Sequence, residues 1–415
     1  MLSKNERKFE VLVATDSGGW NTTTNRVLTS HLAKNKKLHV RAFISKNHPR
    51  RMELVENIEL LEDEIFPGDS PIELLDYPSE RLQNIDFLLM HCYSPELEKQ
   101  AEEICKATNC KWIPIVHRDW GKFVKFFEEA GVSLAGRDPD HSAEGQRQIE
   151  MCKRADLVVT IGPTVAEPFK DLQPYVVSIT PGIFSELRNV RQVHQDRKTF
   201  NVLINAAYPY LSPYFYARGC DIAVKSILSL QEEEGGKTSY HLTFVMKSSH
   251  SVSVLEQTLI REGMAANQFT VKSARDDSPE NLAEFITDAD VLILPSRVEG
   301  FGMGGIYAIS ADLPVLVSGH SGVGTALKKL PSGGIHVVDS DDPKIWGQKI
   351  NEVRTIGQEI AYKRAIQLRK EYEEEYGWDD QCTKLVEKMM MKNGTQKRLC
   401  CSSLIHLMTF LHYIV

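Results

Sequence analysis

Between Val291 and Val317 the chain reads VLILPSRVEGFGMGGIYAISADLPVLV, two uninterrupted apolar runs separated by a glycine-rich loop and a helix-length segment. A strand that is apolar at every position must be covered on both faces. A sheet meets that demand when its strands run parallel and helices cross over it. The spacing predicts a strand at Val291–Leu294, a helix over 305–311 and a second strand at Val315–Val317. Similar runs recur along the first half at Val11–Ala14, Val40–Ile44, Phe87–Met90, Trp112–Val116 and Leu157–Ile161. The second half adds Val202–Asn205, Leu242–Met246, Phe269–Val271 and Ile335–Val338. Helical patterns lie between them, including Thr23–Lys34 and Pro95–Thr108. Alternation of this kind predicts α/β domains with parallel sheets.

At 415 residues the chain is longer than one hydrophobic core usually serves. The polar stretch Glu186–Lys198 lacks apolar periodicity and reads as a linker. The expected organisation is a first Rossmann-like domain over 1–185, the linker over 186–198 and a second Rossmann-like domain over 199–360. A charged helical segment over 361–391 and a tail over 392–415 complete it. Two such doubly wound domains face each other across a cleft between the carboxyl ends of their strands.

The loop after Leu294 carries one carboxylate, Glu299, among Gly300, Gly302, Gly304 and Gly305. Glycines at a strand's carboxyl end let backbone approach a ligand closely, and the N–H groups of the following helix favour an anion. A carboxylate there repels phosphate, so Glu299 suits neutral hydroxyls. Amides for a diphosphate beside a carboxylate for hydroxyls fit a nucleotide sugar. The bland reading is a structural loop of the kind found throughout doubly wound proteins.

Pro295, Ser296, Glu299, Gly300, Phe301, Gly302, Pro314 and Val315 together resemble the donor-site motif of the family-4 retaining glycosyltransferases, which have the GT-B fold. The resemblance implies that Glu299 contacts the donor sugar and that the backbone of Phe301, Gly302, Met303, Gly304 and Gly305 holds the diphosphate. The family's second glutamate, which holds the ribose hydroxyls, stands eight positions after the first; Tyr307 is there instead. A tyrosine cannot accept two hydrogen bonds as a carboxylate does. Asp312 replaces a usual glycine, and Pro181 and Phe184 depart from the family's Asn-Gly-Val/Ile-Asp. Ala206-Ala207-Tyr208 lacks the family's first arginine. Arg218-Gly219 resembles its later basic-glycine pair, leaving Arg218 as the phosphate cation.

In the first half, Thr15–Asn21 looks like the family's double-glycine loop, with Ser17, Gly18 and Gly19 on the acceptor side; it also reads as a tight strand-to-helix turn. His117, directly after a strand, matches a family histidine near the donor sugar, with a structural hydrogen-bonding role as the alternative. The aromatic stretch Tyr208–Tyr216 reads equally as a ring-stacking wall or a packed loop.

Asp288-Ala289-Asp290 and Asp339–Asp342 have spacings that suggest metal binding, but they read as turn residues. The resemblance implies neither metal nor cofactor, and a retaining transfer of a sugar from a nucleotide-sugar donor to an acceptor that the sequence does not name. The competing expectation is a weak or inactive binding protein that keeps the fold. A net charge of −7 without a basic stripe argues against nucleic acid. No apolar run reaches the roughly 20 residues that span a bilayer. The charged opening lacks a secretory signal, and the eight scattered cysteines suit reduced thiols, so a cytoplasmic protein is expected. From Asn393 the composition turns apolar and carries Cys400 and Cys401, the pattern of a tail or a partner contact.

Overall fold

The computed structural model describes residues 7–14, 23–44, 57–62, 84–91, 95–130, 141–172, 175–188, 190, 199–207, 212–235, 239–246, 252–274 and 279–391. The loop with Ser17, Gly18 and Gly19, most of the expected linker, and the tail after Met391 lie outside the described residues.

Two parallel sheets organise the chain. The first holds β1 (Phe9–Ala14), β2 (Leu38–Ile44), β3 (Ile58–Glu62), β4 (Phe87–Met90), β5 (Lys111–Val116), β6 (Val158–Ile161) and β7 (Val176–Ile179) in the order β3-β2-β1-β4-β5-β6-β7. The second holds β8 (Thr199–Ala207), β9 (Ser239–Met246), β10 (Phe269–Ser273), β11 (Val291–Leu294), β12 (Val315–Ser318) and β13 (Val337–Val338) in the order β10-β9-β8-β11-β12-β13. Every strand pair is parallel. β4, β6, β11 and β12 are buried at every position, as continuous apolar runs require. Chain order reverses between β1 and β4 in one sheet and between β8 and β11 in the other. Those switch points open crevices at the strands' carboxyl ends.

The architecture is the GT-B fold, two Rossmann-like α/β domains. β3 and β7 were absent from the sequence reading, and Ile335–Val338 shortens to a two-residue strand. A 3-10 turn over Gly333–His336 uses the rest, fixed where His336 Nδ1 donates to the Val315 carbonyl at 3.0 Å.

The chain's last helices return to the first sheet. Tyr372 OH donates to Pro181 O at 2.8 Å, and Trp378 Nε1 donates to Ile183 O at 3.1 Å. Gln381 accepts from Thr180 N and donates to Thr180 O, both at 2.8 Å. The helix Trp378–Met390 thereby rests on β7 and on the helix Thr23–Ala33. One hydrophobic cluster runs through both domains, joining Val13 and Ile115 of the first sheet to Phe301, Tyr307 and Val317 of the second.

Candidate active site

Two segments meet at the carboxyl ends of β8 and β11. One is the short helix Ser212–Ala217 followed by Arg218 and Gly219; the other is the loop Pro295–Gly302. Gly219 has φ +65°, and a Cβ there would stand 1.9 Å from Pro295 O, so only glycine lets the segments close up. The backbones are stitched by Arg297 N and Val298 N, which both donate to Ala217 O at 2.9 and 3.2 Å. Arg297 clasps buried Asp221 through two parallel hydrogen bonds of 2.7 and 2.9 Å. This brings Arg218 and Glu299, 81 residues apart in sequence, into a direct ion pair. Their side chains are only 13% and 12% exposed. Burial alone lowers the Arg218 pKa, and the adjacent Glu299 carboxylate more than reverses it, so the guanidinium stays charged. Glu299 also accepts from Gly300 N at 3.0 Å and Ser296 Oγ at 3.4 Å.

The loop then crosses to the first domain. A Cβ on Gly300 would lie 2.6 Å from the His117 carbonyl oxygen, and Thr164 Oγ1 donates to Gly300 O at 3.4 Å. Phe301 is buried, with its carbonyl accepting from Val323 N at 2.7 Å. Gly302, with φ +97°, caps the helix Met303–Ser310, two residues earlier than the spacing suggested. Gly304 lies against Asn205 and Leu294, and Gly305 N donates to Gly302 O at 3.0 Å. Met303 Sδ accepts from Thr24 Oγ1 at 3.3 Å, a further tie between the domains.

His117 faces a residue the sequence reading missed. Its Nε2 lies 3.2 Å from Nδ1 of His91, which follows β4. Burial, then the Arg118 charge, pushes His117 down to about 4. Burial, then the His117 charge, holds His91 well below the usual range. Both rings are therefore neutral near pH 7. The signal that could have found His91 is a histidine ending an apolar strand, the same signal that marked His117. Beside them Arg118 stacks over Trp120 and Phe123, while Tyr214 meets Phe127 edge-on with ring centroids 5.3 Å apart. Tyr214 thus packs between domains; Tyr208–Leu211 lie outside the described residues.

Tyr307 is 4% exposed and lies 5.2 Å, ring to ring, from Phe184. Phe184 N donates to Ser310 Oγ at 2.9 Å on the same helix. Two of the departures from the family pattern, Phe184 and Tyr307, are therefore neighbours in one aromatic contact. Asp312 adopts φ +55°, a conformation glycine prefers, and is held by Arg369 at 2.7 Å. Asp290 accepts from Asn201 N at 2.7 Å, Asp339 pairs with Lys328 at 2.5 Å, and Asp342 caps the helix Pro343–Thr355. Among the described residues no group of three or more His, Cys, Asp or Glu side chains is placed to hold a metal, and no helix is long and apolar enough to cross a membrane.

The fold is that of the GT-B glycosyltransferases. The model of the family-4 glycosyltransferases in conflict systems matches residues 12–385, and the chain belongs to that family. A D-inositol 3-phosphate glycosyltransferase of Corynebacterium urealyticum is 27% identical over 118 residues, 28% of this chain and 27% of that relative's length. Among solved structures, sucrose-phosphate synthase of Thermosynechococcus elongatus superposes with a TM-score of 0.67 at 16% identity, covering 92% of this chain and 98% of that one. Anabaena HepE in complex with UDP and glucose gives 0.64 at 12% identity, covering 92% and 99%. WaaG, a glycosyltransferase involved in lipopolysaccharide biosynthesis, gives 0.63 at 15% identity, covering 92% and 100%.

Proposed function

We propose that this glycosyltransferase takes its sugar from a nucleotide-sugar donor bound between Arg218, Glu299 and His117, and transfers it with retention of configuration. The observation that carries the reading is the ion pair of Arg218 with Glu299 at the second switch point, one residue from the backbone contact of Gly300 with His117. A donor diphosphate takes the guanidinium, since arginine matches phosphate oxygens with a fork of donors. Glu299, released from its partner, accepts hydrogen bonds from sugar hydroxyls. As the bond from the sugar to the diphosphate breaks, negative charge collects on the leaving oxygen, and a fixed cation there stabilises it. Solved relatives of this fold include HepE bound to UDP-glucose, which supports a donor of that kind. Tyr307, buried on Phe184, favours a second reading in which ribose recognition is lost and the protein binds donors weakly or without turnover.

Glu299→Gln tests the donor role. The change keeps the shape, removes the charge and leaves Arg218 to the phosphates. Affinity for UDP-glucose over UDP is expected to fall by roughly ten- to a hundredfold, the worth of a hydrogen bond to a charged group. Calorimetry of both ligands reads the difference. A variant that binds UDP-glucose as the wild type does removes Glu299 from the site.

The carboxylates nearest the proposed diphosphate already hold cations of the chain itself, Glu299 with Arg218 and Asp221 with Arg297. Donor binding and turnover are accordingly expected to persist in excess chelator. Complete loss on chelation, restored by a divalent cation, contradicts that expectation.

A further inference from the structure

We propose that His91 is a positioning residue that fixes the ring and the tautomer of His117 at the donor sugar. The inference rests on the reading of His117 as a sugar contact. β4 and β5 are neighbours with Met90 opposite Pro114, so His91 and His117 leave the same end of the sheet on adjacent strands, His117 two positions further along. His91 is 5% exposed, and its backbone N–H donates to Ala14 O at 3.0 Å, pinning it at the switch point between β1 and β4. Its Nδ1 meets His117 Nε2 at 3.2 Å, with ring centroids 5.5 Å apart and planes inclined by 31°.

Two neutral imidazoles share this contact when one nitrogen donates its hydrogen and the other accepts it. Burial disfavours the charged form of both rings, so a single hydrogen lies between Nδ1 and Nε2. A neutral ring carries one hydrogen, so the choice made at Nε2 of His117 dictates the character of its Nδ1. If Nε2 accepts, Nδ1 is a donor; if Nε2 donates, Nδ1 is an acceptor. His91 thereby ties the character of His117 to its own, because exchanging donor and acceptor requires both rings to change tautomer together. A sugar hydroxyl can adapt to either, but it gains a preorganised contact only when the character does not fluctuate. This is an outer-layer constraint of the kind that orients a ring through its other nitrogen.

Imidazole 15N spectra of the full chain test the pairing without any ligand, and UDP-glucose titration tests its consequence. The wild type is expected to show His117 as one neutral tautomer at pH 7. His91→Leu should give mixed tautomers and weaken UDP-glucose binding about tenfold, the value of one buried hydrogen bond. His91→Asn, which returns a polar atom near the Nδ1 position, should restore both signals if the leucine variant folds poorly. In a His117→Leu background the change at His91 should have no further effect on affinity. Unchanged tautomer and affinity in His91→Leu overturn the proposal, as does a scrambled tautomer with unchanged affinity. A wild type that binds neither UDP-glucose nor any other nucleotide sugar overturns the donor-site reading itself, and the role of His91 falls with it.

Discussion

Arg218→Met is expected to lower the unfolding free energy by about 3 kcal/mol and to abolish binding of nucleoside diphosphates. Truncating one member of a buried ion pair leaves the other charge without compensation, at a typical cost of about 3–5 kcal/mol. The lower end applies because Glu299 keeps the Gly300 N–H and the Ser296 hydroxyl. The double variant Arg218→Met, Glu299→Met is expected to recover most of the lost stability, because an apolar pair of similar volume needs no desolvation of charge. It is not expected to recover binding. Urea unfolding of the two single variants and the double variant closes the cycle. Independent, additive losses would show that the two side chains do not act as a pair.

Tyr307→Glu is expected to destabilise the protein by about 3 kcal/mol or more, the cost of burying a carboxylate in place of a packed aromatic ring. At this position the family motif has a carboxylate that grips ribose, yet here the side chain is buried on Phe184 inside the cluster that spans both domains. Restoring the glutamate alone therefore puts a charge into a core. A gain in affinity for ribonucleotides over their counterparts without ribose hydroxyls, with stability unchanged, would mean that the pocket is open and Tyr307 borders it. Thermal unfolding and nucleotide titration of the same variant separate these results.

The fold was legible because nearly every strand of a parallel sheet is buried on both faces and announces itself as an apolar run. The two strands that escaped notice, β3 and β7, are the outer strands of the first sheet. β3 reads IELLE and β7 reads VVSI, interrupted by polar residues where, among the described residues, one edge lacks a neighbour. Glu299 and Arg218 could be singled out one at a time, from a glycine-rich loop and a basic-glycine pair. Their mutual contact could not, since it depends on β8 lying next to β11. His91 ends an apolar strand much as His117 does, but its contact with His117 follows only from the adjacency of β4 and β5. Tyr307 was visible as a departure from a motif, but that Phe184 is its partner follows from the way the last turn of the first domain meets the helix Met303–Ser310.

The measurement that bears most directly on the central claim is calorimetric titration of the full chain with a panel of nucleotide sugars, repeated with Arg218→Met and Glu299→Gln. The account predicts that at least one nucleotide sugar binds the wild type. Arg218→Met should lose the nucleotide sugar and its nucleoside diphosphate alike, whereas Glu299→Gln should lose only the part contributed by the sugar. Binding that both variants leave intact, or a wild type that binds no member of the panel, would contradict it.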